Sequence, residues 1–416
     1  MTQSPRELRA ASGRPFFNSG ASRIGCRGAA RILLGAARIV IGAALVASSA
    51  GALAAQGRGP ESGAPAPAGA GDWVLAPGEG GRSLALLECS GGRELARKAL
   101  DARLAAPPLL SGGRAWLLGA DGRLRALALP ALREIASRPD MPVRARLAWS
   151  GAEAGLVAVG GEGRDALRIL DAETLADVHR YRLEAPIVVA ALANVPGRAS
   201  FLVGLAEPAA PAEVWELAYS PDAPPVLKGL VHDYRMGEAV ALPGRFTPRV
   251  APVASPTAHL LPGPVPYEWL RIDSTGAASV LHLEVRREIA RLREEGDWLA
   301  AAWRGAGGRG WLLGLRDGTE LRRLESGAWQ RSPPKALPGR LMAMLPFGDL
   351  GGAALALATD GGVVLAQIDG DSLAVRRGAR IAGANANAAL ATSADGRCVA
   401  LLDGEGRWLG AVRRGE

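Results

Sequence analysis

From Asp72 onward the chain repeats one phrase: a short apolar run, a turn dipeptide, a second apolar run and an acidic turn. Ala115–Leu118 leads into Asp121-Gly122, Val188–Leu192 towards Gly197, and Trp311–Leu315 into Asp317-Gly318. Ala353–Ala358 is followed by Asp360-Gly361, and Cys398–Leu402 by Asp403-Gly404. Asp-Gly between apolar runs predicts a hairpin, because glycine adopts positive φ without steric cost. Long amphipathic helical stretches are nearly absent. Leu283–Glu295 carries some helical spacing, yet Val280, His282 and Glu284 alternate with Leu281, Leu283 and Val285 as strand residues do. The phrase returns roughly every 40 residues, the length of one propeller blade. Residues 72–416 therefore predict an all-β fold, a single β-propeller of about eight four-stranded blades, with seven as the alternative.

Composition agrees. Glycine (55) and proline (29) are frequent enough to punctuate many short elements, which disfavours a helical bundle. With 48% hydrophobic and 22% charged residues, the bulk of the chain is not intrinsically disordered. The net charge of +8 first suggests an acidic partner, but its location removes that reading. Residues 1–54 hold seven arginines and one acid, Glu7, so they carry +6 and leave 8 − 6 = +2 for the rest. After Arg38 comes the uncharged run Ile39–Ala54, ending Ala52-Leu53-Ala54. A basic region, a short apolar stretch and small residues at the end are the anatomy of a secretory signal peptide, with cleavage after Ala54. A membrane anchor is the alternative, although the run is short for a bilayer span. A Pro/Gly/Ala linker, residues 55–71, would follow, and then the propeller, residues 72–416. The expected location is the periplasm, with no membrane span after cleavage. A nearly neutral remainder with few aromatics gives no footprint for nucleic acid.

Of three cysteines, Cys89 and Cys398 stand near opposite ends of the processed chain. Ring closure would make them neighbours, so a disulfide locking the first blade to the last is expected; two separately buried thiols are the alternative. Several motifs are missing. There is no Cys-x-x-Cys-His for covalent haem c, no P-loop and no Gly-x-Ser-x-Gly elbow. The glycine-rich pieces Gly160–Gly163 and Gly305–Gly310 read as turns. Four histidines (His179, His232, His259, His282) show no zinc-binding spacing.

One polar constellation stands out: Gly229–Glu238, GLVHDYRMGE, which gathers His232, Asp233, Tyr234, Arg235 and Glu238. Arg235 could fork onto a carboxylate, and His232 could ligate a metal or move a proton. An ion-pair network that pins a long loop is the alternative.

The stretch from Val143 to Leu292 resembles the cytochrome d1 haem domain family, whose eight-bladed propeller holds haem d1. The resemblance is carried by Leu167–Thr174 (LRILDAET), Asn194–Leu205 (NVPGRASFLVGL), Val214–Val231 (VWELAYSPDAPPVLKGLV), His232–Glu238 (HDYRMGE) and Leu283–Leu292 (LEVRREIARL). It implies a haem d1 or precursor binding protein of the lone-propeller branch, acting in haem d1 maturation or delivery for denitrification. Its partners would be other haem d1 biosynthesis proteins or nitrite reductase. His232 would be an iron ligand or acid/base group, and Asp233, Tyr234, Arg235 and Glu238 would line the cofactor, with Arg235 on a tetrapyrrole carboxylate. Full nitrite reduction is disfavoured, since the chain lacks a haem c relay. Some family positions are replaced: Trp298 stands where a histidine is expected, Ala386–Leu390 lacks another, Ala120 replaces a basic residue, and Ile272-Asp273-Ser274 replaces an Ala-Ser-Arg-like strand end. A diverged propeller without cofactor, serving as a protein interaction scaffold, is therefore the alternative function.

Overall fold

The computed structural model describes residues 73–111, 113–207, 212–228, 240–382, 388–393 and 395–414. The signal-peptide and linker expectations (1–54 and 55–71) and the cluster His232–Glu238 lie outside the described residues. Strands β1 (Trp73–Gly78), β2 (Ser83–Glu88) and β3 (Glu94–Ala99) form an antiparallel meander. The next is β4 (Leu109–Ser111), β5 (Arg114–Leu118), β6 (Leu124–Ala128) and β7 (Arg133–Arg138). Then come β8 (Val143–Trp149), β9 (Leu156–Gly163), β10 (Leu167–Asp171) and β11 (Asp177–Arg180), followed by β12 (Ile187–Val195), β13 (Ser200–Glu207) and β14 (Glu213–Ala218). A separate hairpin, β15 (Val226–Lys228) with β16 (Val240–Leu242), is inserted before β17 (Pro248–Pro252) returns to pair with β14. Two more four-stranded meanders are β18 (Thr257–Pro262), β19 (Glu268–Asp273), β20 (Ala277–His282), β21 (Arg287–Glu295), and β22 (Trp298–Gly305), β23 (Gly308–Leu315), β24 (Glu320–Glu325), β25 (Lys335–Ala336). The chain ends with β26 (Arg340–Pro346), β27 (Gly352–Thr359), β28 (Gly362–Asp369), β29 (Val375–Ile381), and with β30 (Ala389–Thr392), β31 (Cys398–Leu402), β32 (Trp408–Arg413).

The first strand of each meander lies beside the first strand of the next, from β4 through β8, β12, β18, β22, β26 and β30, and β30 lies beside β1. The expected all-β propeller is what the chain forms. Residues 283–295 are strand and turn, because Val280 and Ala290, and Leu281 and Glu288, are cross-strand partners that a helix would separate.

Burial follows from stacking sheets face to face. The second strands β2 (SLALLE) and β19 (EWLRID) are buried on both faces, so they read as apolar runs instead of alternating, whereas the outer β3 (ELARKA) and β11 (DVHR) are largely exposed. Each hydrophobic core belongs to two successive meanders. One joins Leu118 and Leu124 to Val157 and Leu170; another joins Ala301 and Leu312 to Leu355 and Ile368. First strands crowd near the axis and are rich in alanine, as in β12 (IVVAALANV) and β22 (WLAAAWRG). The turns have a polar reason as well: Asp121 and Asp403 of Asp-Gly turns, and Asp273 of the Asp273-Ser274-Thr275-Gly276 turn, each accept a backbone N–H two residues on, from Arg123 (3.1 Å), Glu405 (2.9 Å) and Thr275 (2.8 Å).

One expectation is corrected here. Gly160–Gly163 is not a turn but the end of β9. A Cβ on Gly160 would sit 2.6 Å from Val189 Cγ1, so the glycine admits the close approach of β12, which pairs with this end of β9 and fuses two meanders into an eight-stranded sheet.

The ring closes where Val74, Ala76, Ala85 and Leu87 pack with Ala391, Ala400 and Leu402. Cys89 and Cys398 are disulfide-bonded across this seam, 309 residues apart in sequence. Gly406, at φ +74°, lets the β31–β32 turn touch β1: a Cβ there would meet the Pro77 carbonyl oxygen at 2.0 Å. A second fixed point is Arg271, 1% exposed on β19. It donates to Glu288 Oε1 (2.7 Å) and Thr257 Oγ1 (3.0 Å) and to the Ser255 carbonyl oxygen, which ties β18, β19 and β21 together.

Two outcomes follow. Denatured without reductant, the 416-residue chain should titrate one thiol, that of Cys26; three would exclude the bridge, and Cys398→Ser should lower stability by about 2–5 kcal/mol in chemical denaturation. Glu288→Ala should cost about 3–5 kcal/mol in the same assay, because it strands a buried guanidinium, whereas Arg291→Ala, on an exposed partner of the same carboxylate, should change stability by less than about 1 kcal/mol.

Candidate functional site

The centre of the ring is built from first strands, and two of them carry a partly buried ionisable side chain where alanine is the rule. Arg146 stands on β8 in the sequence VRARLAW, and His259 on β18 in TAHLLP. Both are partly buried. Arg146 opposes Gly160 across β8 and β9, so a bare backbone lies beside it. The meanders of β8 and β18 are not neighbours, since that of β12 lies between them. Their side chains therefore feel one another only near the axis.

They do so electrostatically. His259 is held below the usual imidazole range, first by burial and then by the positive charge of Arg146; Asp297 opposes this and Arg316 adds to it. Burial also lowers Arg146 from the usual guanidinium value. Among the described residues Arg146 makes no hydrogen bond or ion pair. Asp297, just before β22, pairs with Arg316 at 2.6 Å, and Arg316 also donates to the Met342 carbonyl oxygen at 2.6 Å. The axis thus presents a neutral imidazole and an uncompensated guanidinium in apolar surroundings. Such a pair can accept an anionic group on the arginine and offer a lone pair from the histidine.

Within the meander of β22–β25 lies a cavity of about 280 Å³ lined by Trp298, Leu313, Leu315, Thr319 and Glu320. Trp298, at the position where the family resemblance leads one to expect a histidine, is 8% exposed, and its buried indole N–H has no acceptor. Ala120 is exposed in its turn. Asp273 accepts from Ser255, Thr275 and Ala277, so the Ile272-Asp273-Ser274 strand end closes a local network.

For the cluster His232–Glu238, the described residues fix only its foot. Val226, Leu227 and Lys228 pair with Leu242, Ala241 and Val240, and the insertion leaves the end of β14 and returns at β17. Under that foot is an aromatic group. Tyr181 donates to the Phe246 carbonyl oxygen (2.5 Å), His179 stacks on Phe246 at 5.2 Å, and Tyr219 donates to the Ser150 carbonyl oxygen (2.9 Å). Among the described residues no three His, Cys, Asp or Glu side chains converge on a metal site, and no helix is long and apolar enough to cross a membrane.

Sequence reasoning ranked His232 and Arg235 first and passed over Arg146 and His259. The available signal was an ionisable residue inside an apolar first strand. It could be used only once first strands were distinguished from second ones.

No family model and no curated protein matches the chain. Among solved structures it is similar to the dihydro-heme d1 dehydrogenase NirN in complex with DHE, with TM-score 0.62, 18% identity, and 82% of this chain and 72% of that chain covered. The fold is a β-propeller similar to that of NirN. A BamB structure from Moraxella catarrhalis aligns at TM-score 0.41 and 14% identity, over 73% of this chain and 81% of that one. At these identities the likeness speaks to the fold, and the side chains must speak for the site.

The electrostatics of the axis can be tested by NMR. His259 should titrate below 6.5, and Arg146→Met should move its midpoint upward by removing a repelling charge. Because the folded state holds this imidazole neutral, stability should be complete above pH 6.5 and fall as the pH drops through the depressed value, a loss that His259→Gln abolishes.

Proposed function

We propose that this protein is an exported propeller that binds haem d1 or its dihydro precursor and acts in maturation or delivery of the cofactor. The observation that carries the reading is the Arg146–His259 pair on the first strands of a cytochrome d1-like fold. A tetrapyrrole of this kind offers carboxylate arms and an iron. The residues present fit both: Arg146 is a guanidinium without a counter-ion among the described residues, and His259 is a neutral imidazole. Arg146 would hold a carboxylate, and His259 would ligate the iron or bond to a group on it. His232 and Arg235 are the second pair for the same two tasks, with Asp233, Tyr234 and Glu238 around them. Bound haem d1 would supply a redox-active iron and a conjugated macrocycle. The chain itself contributes alanine-rich first strands around the axis. Partners would be proteins that make haem d1 or receive it, nitrite reductase among them, in the periplasm.

A scaffold without cofactor is the second reading. It is favoured by Trp298 and Ala120 in place of cofactor-facing residues and by the exposed Leu227 and Val240 on the inserted hairpin, 45% and 64% accessible.

One titration separates the two. Haem d1 or its dihydro precursor mixed with the purified protein should give a shifted Soret band, weakened at least tenfold in apparent affinity by Arg146→Met and by His259→Ala. His232→Ala and Arg235→Ala report on the second pair. No spectral change with a protein that is folded by circular dichroism would overturn the cofactor reading and leave the scaffold.

A further inference from the structure

Buried arginines elsewhere in the molecule show how this fold treats a guanidinium taken out of water. Arg125, 7% exposed, is met by Asp121 at 2.8 Å, and Arg271, 1% exposed, by Glu288 at 2.7 Å. Arg249, 9% exposed, donates to the Pro224 carbonyl oxygen at 2.8 Å. Arg168 on β10 is the exception. It is 8% exposed, its Nε is closed off from solvent without a partner, and among the described residues its guanidinium makes no hydrogen bond or ion pair. Only Nε is shut away, so the terminal nitrogens keep an edge open to solvent.

The surroundings make this worse for Arg168. In register it stands directly opposite Arg180 on β11, a like-charge pair on one face. That face looks towards the preceding meander, from which Arg138 at the end of β7 reaches over. The nearby carboxylates are already engaged. Asp165 is gripped by Arg180 through two bonds of 3.1 and 2.7 Å, and Asp177 accepts from Arg138 at 2.5 Å, while Arg138 also donates to the Leu175 carbonyl oxygen at 2.6 Å. Three guanidiniums thus share two carboxylates, and the one left over is the one buried. An uncompensated buried charge costs several kcal/mol. A fold that supplies partners to Arg125, Arg249 and Arg271 has a reason to omit one here if the missing acceptor comes from outside.

We propose that the arginine cluster between β7 and β10–β11 binds a phosphate-type oxyanion, with Arg168 as its principal donor and Arg138 and Arg180 as flanking charges. Planar donors arranged this way suit a multiply charged group with several acceptor oxygens. The cluster sits on the later strands of two successive meanders and not on the first strands that carry Arg146 and His259, so the proposal stands apart from the cofactor reading.

The test uses inorganic phosphate, with sodium chloride adjusted to hold ionic strength constant, and glycerol 3-phosphate as a monoester arm. In differential scanning fluorimetry phosphate should raise the wild-type melting temperature saturably, and Arg168→Met should shift half-saturation at least tenfold or lose it. Without phosphate, Arg168→Met should melt at or above the wild-type temperature, because methionine removes a charge that has no partner; this also shows that the variant folds. A response to phosphate alone identifies a free ion as the ligand, and an equal or stronger response to the monoester identifies the phosphate group of a larger molecule. Equal responses of wild type and Arg168→Met, or a wild-type response no larger than that to sodium chloride, would overturn the site.

Discussion

Ring closure is the constraint on which the rest of this structure depends. No meander buries both of its faces alone, and every hydrophobic core is shared by two successive sheets. The first and last sheets therefore have no partner except each other. Where they meet, the molecule concentrates its means of fastening: the apolar core around Val74 and Ala400, the Cys89–Cys398 bond, and the Gly406 turn against Pro77. The last sheet is tied backwards as well, since Gln367 donates to the Arg413 carbonyl oxygen (2.9 Å) and Arg414 pairs with Asp349. Opening the seam would expose two sheet faces at once, so its contribution to stability exceeds that of any single contact in it.

Closure also creates the axis. Strands that are never neighbours within a layer approach one another only there, which is why β8 and β18 can share an electrostatic environment. The same crowding explains the alanine-rich first strands, and it leaves Arg146 and His259 on them partly buried. In such a place a histidine loses its proton more easily and an arginine without a carboxylate is a standing demand for an anion. The outer strands obey a different rule. There, solvent screens most ion pairs, such as Arg97–Glu94 on β3, and a buried unpaired charge such as Arg168 is conspicuous by contrast.

How far the sequence could be read differs from element to element. Asp121-Gly122 and Asp403-Gly404 marked real hairpins because the aspartate caps a backbone N–H and a glycine of the turn, Gly122 or Gly406, supplies a positive φ. Gly160–Gly163 carried the same glycine signal but lies in a strand, where the missing side chain makes room for Val189 of another meander. That requirement is non-local and leaves no mark in the neighbouring residues. Arg146 and His259 were illegible for the same reason: 113 positions separate them (259 − 146), and nothing in VRARLAW or TAHLLP says which strands stand first in their sheets.

The sequence by itself determined the class of fold, the turns and the pairing partners of adjacent strands, because hydrogen-bond capping, backbone freedom and apolar periodicity act over a few residues. It also placed two cysteines where only a closed ring could join them. Tertiary structure decided which glycines serve packing instead of turning, which arginines are compensated, and which histidine stands at the axis. Those outcomes rest on distances between residues far apart in the chain, and such distances exist only after the last sheet has met the first.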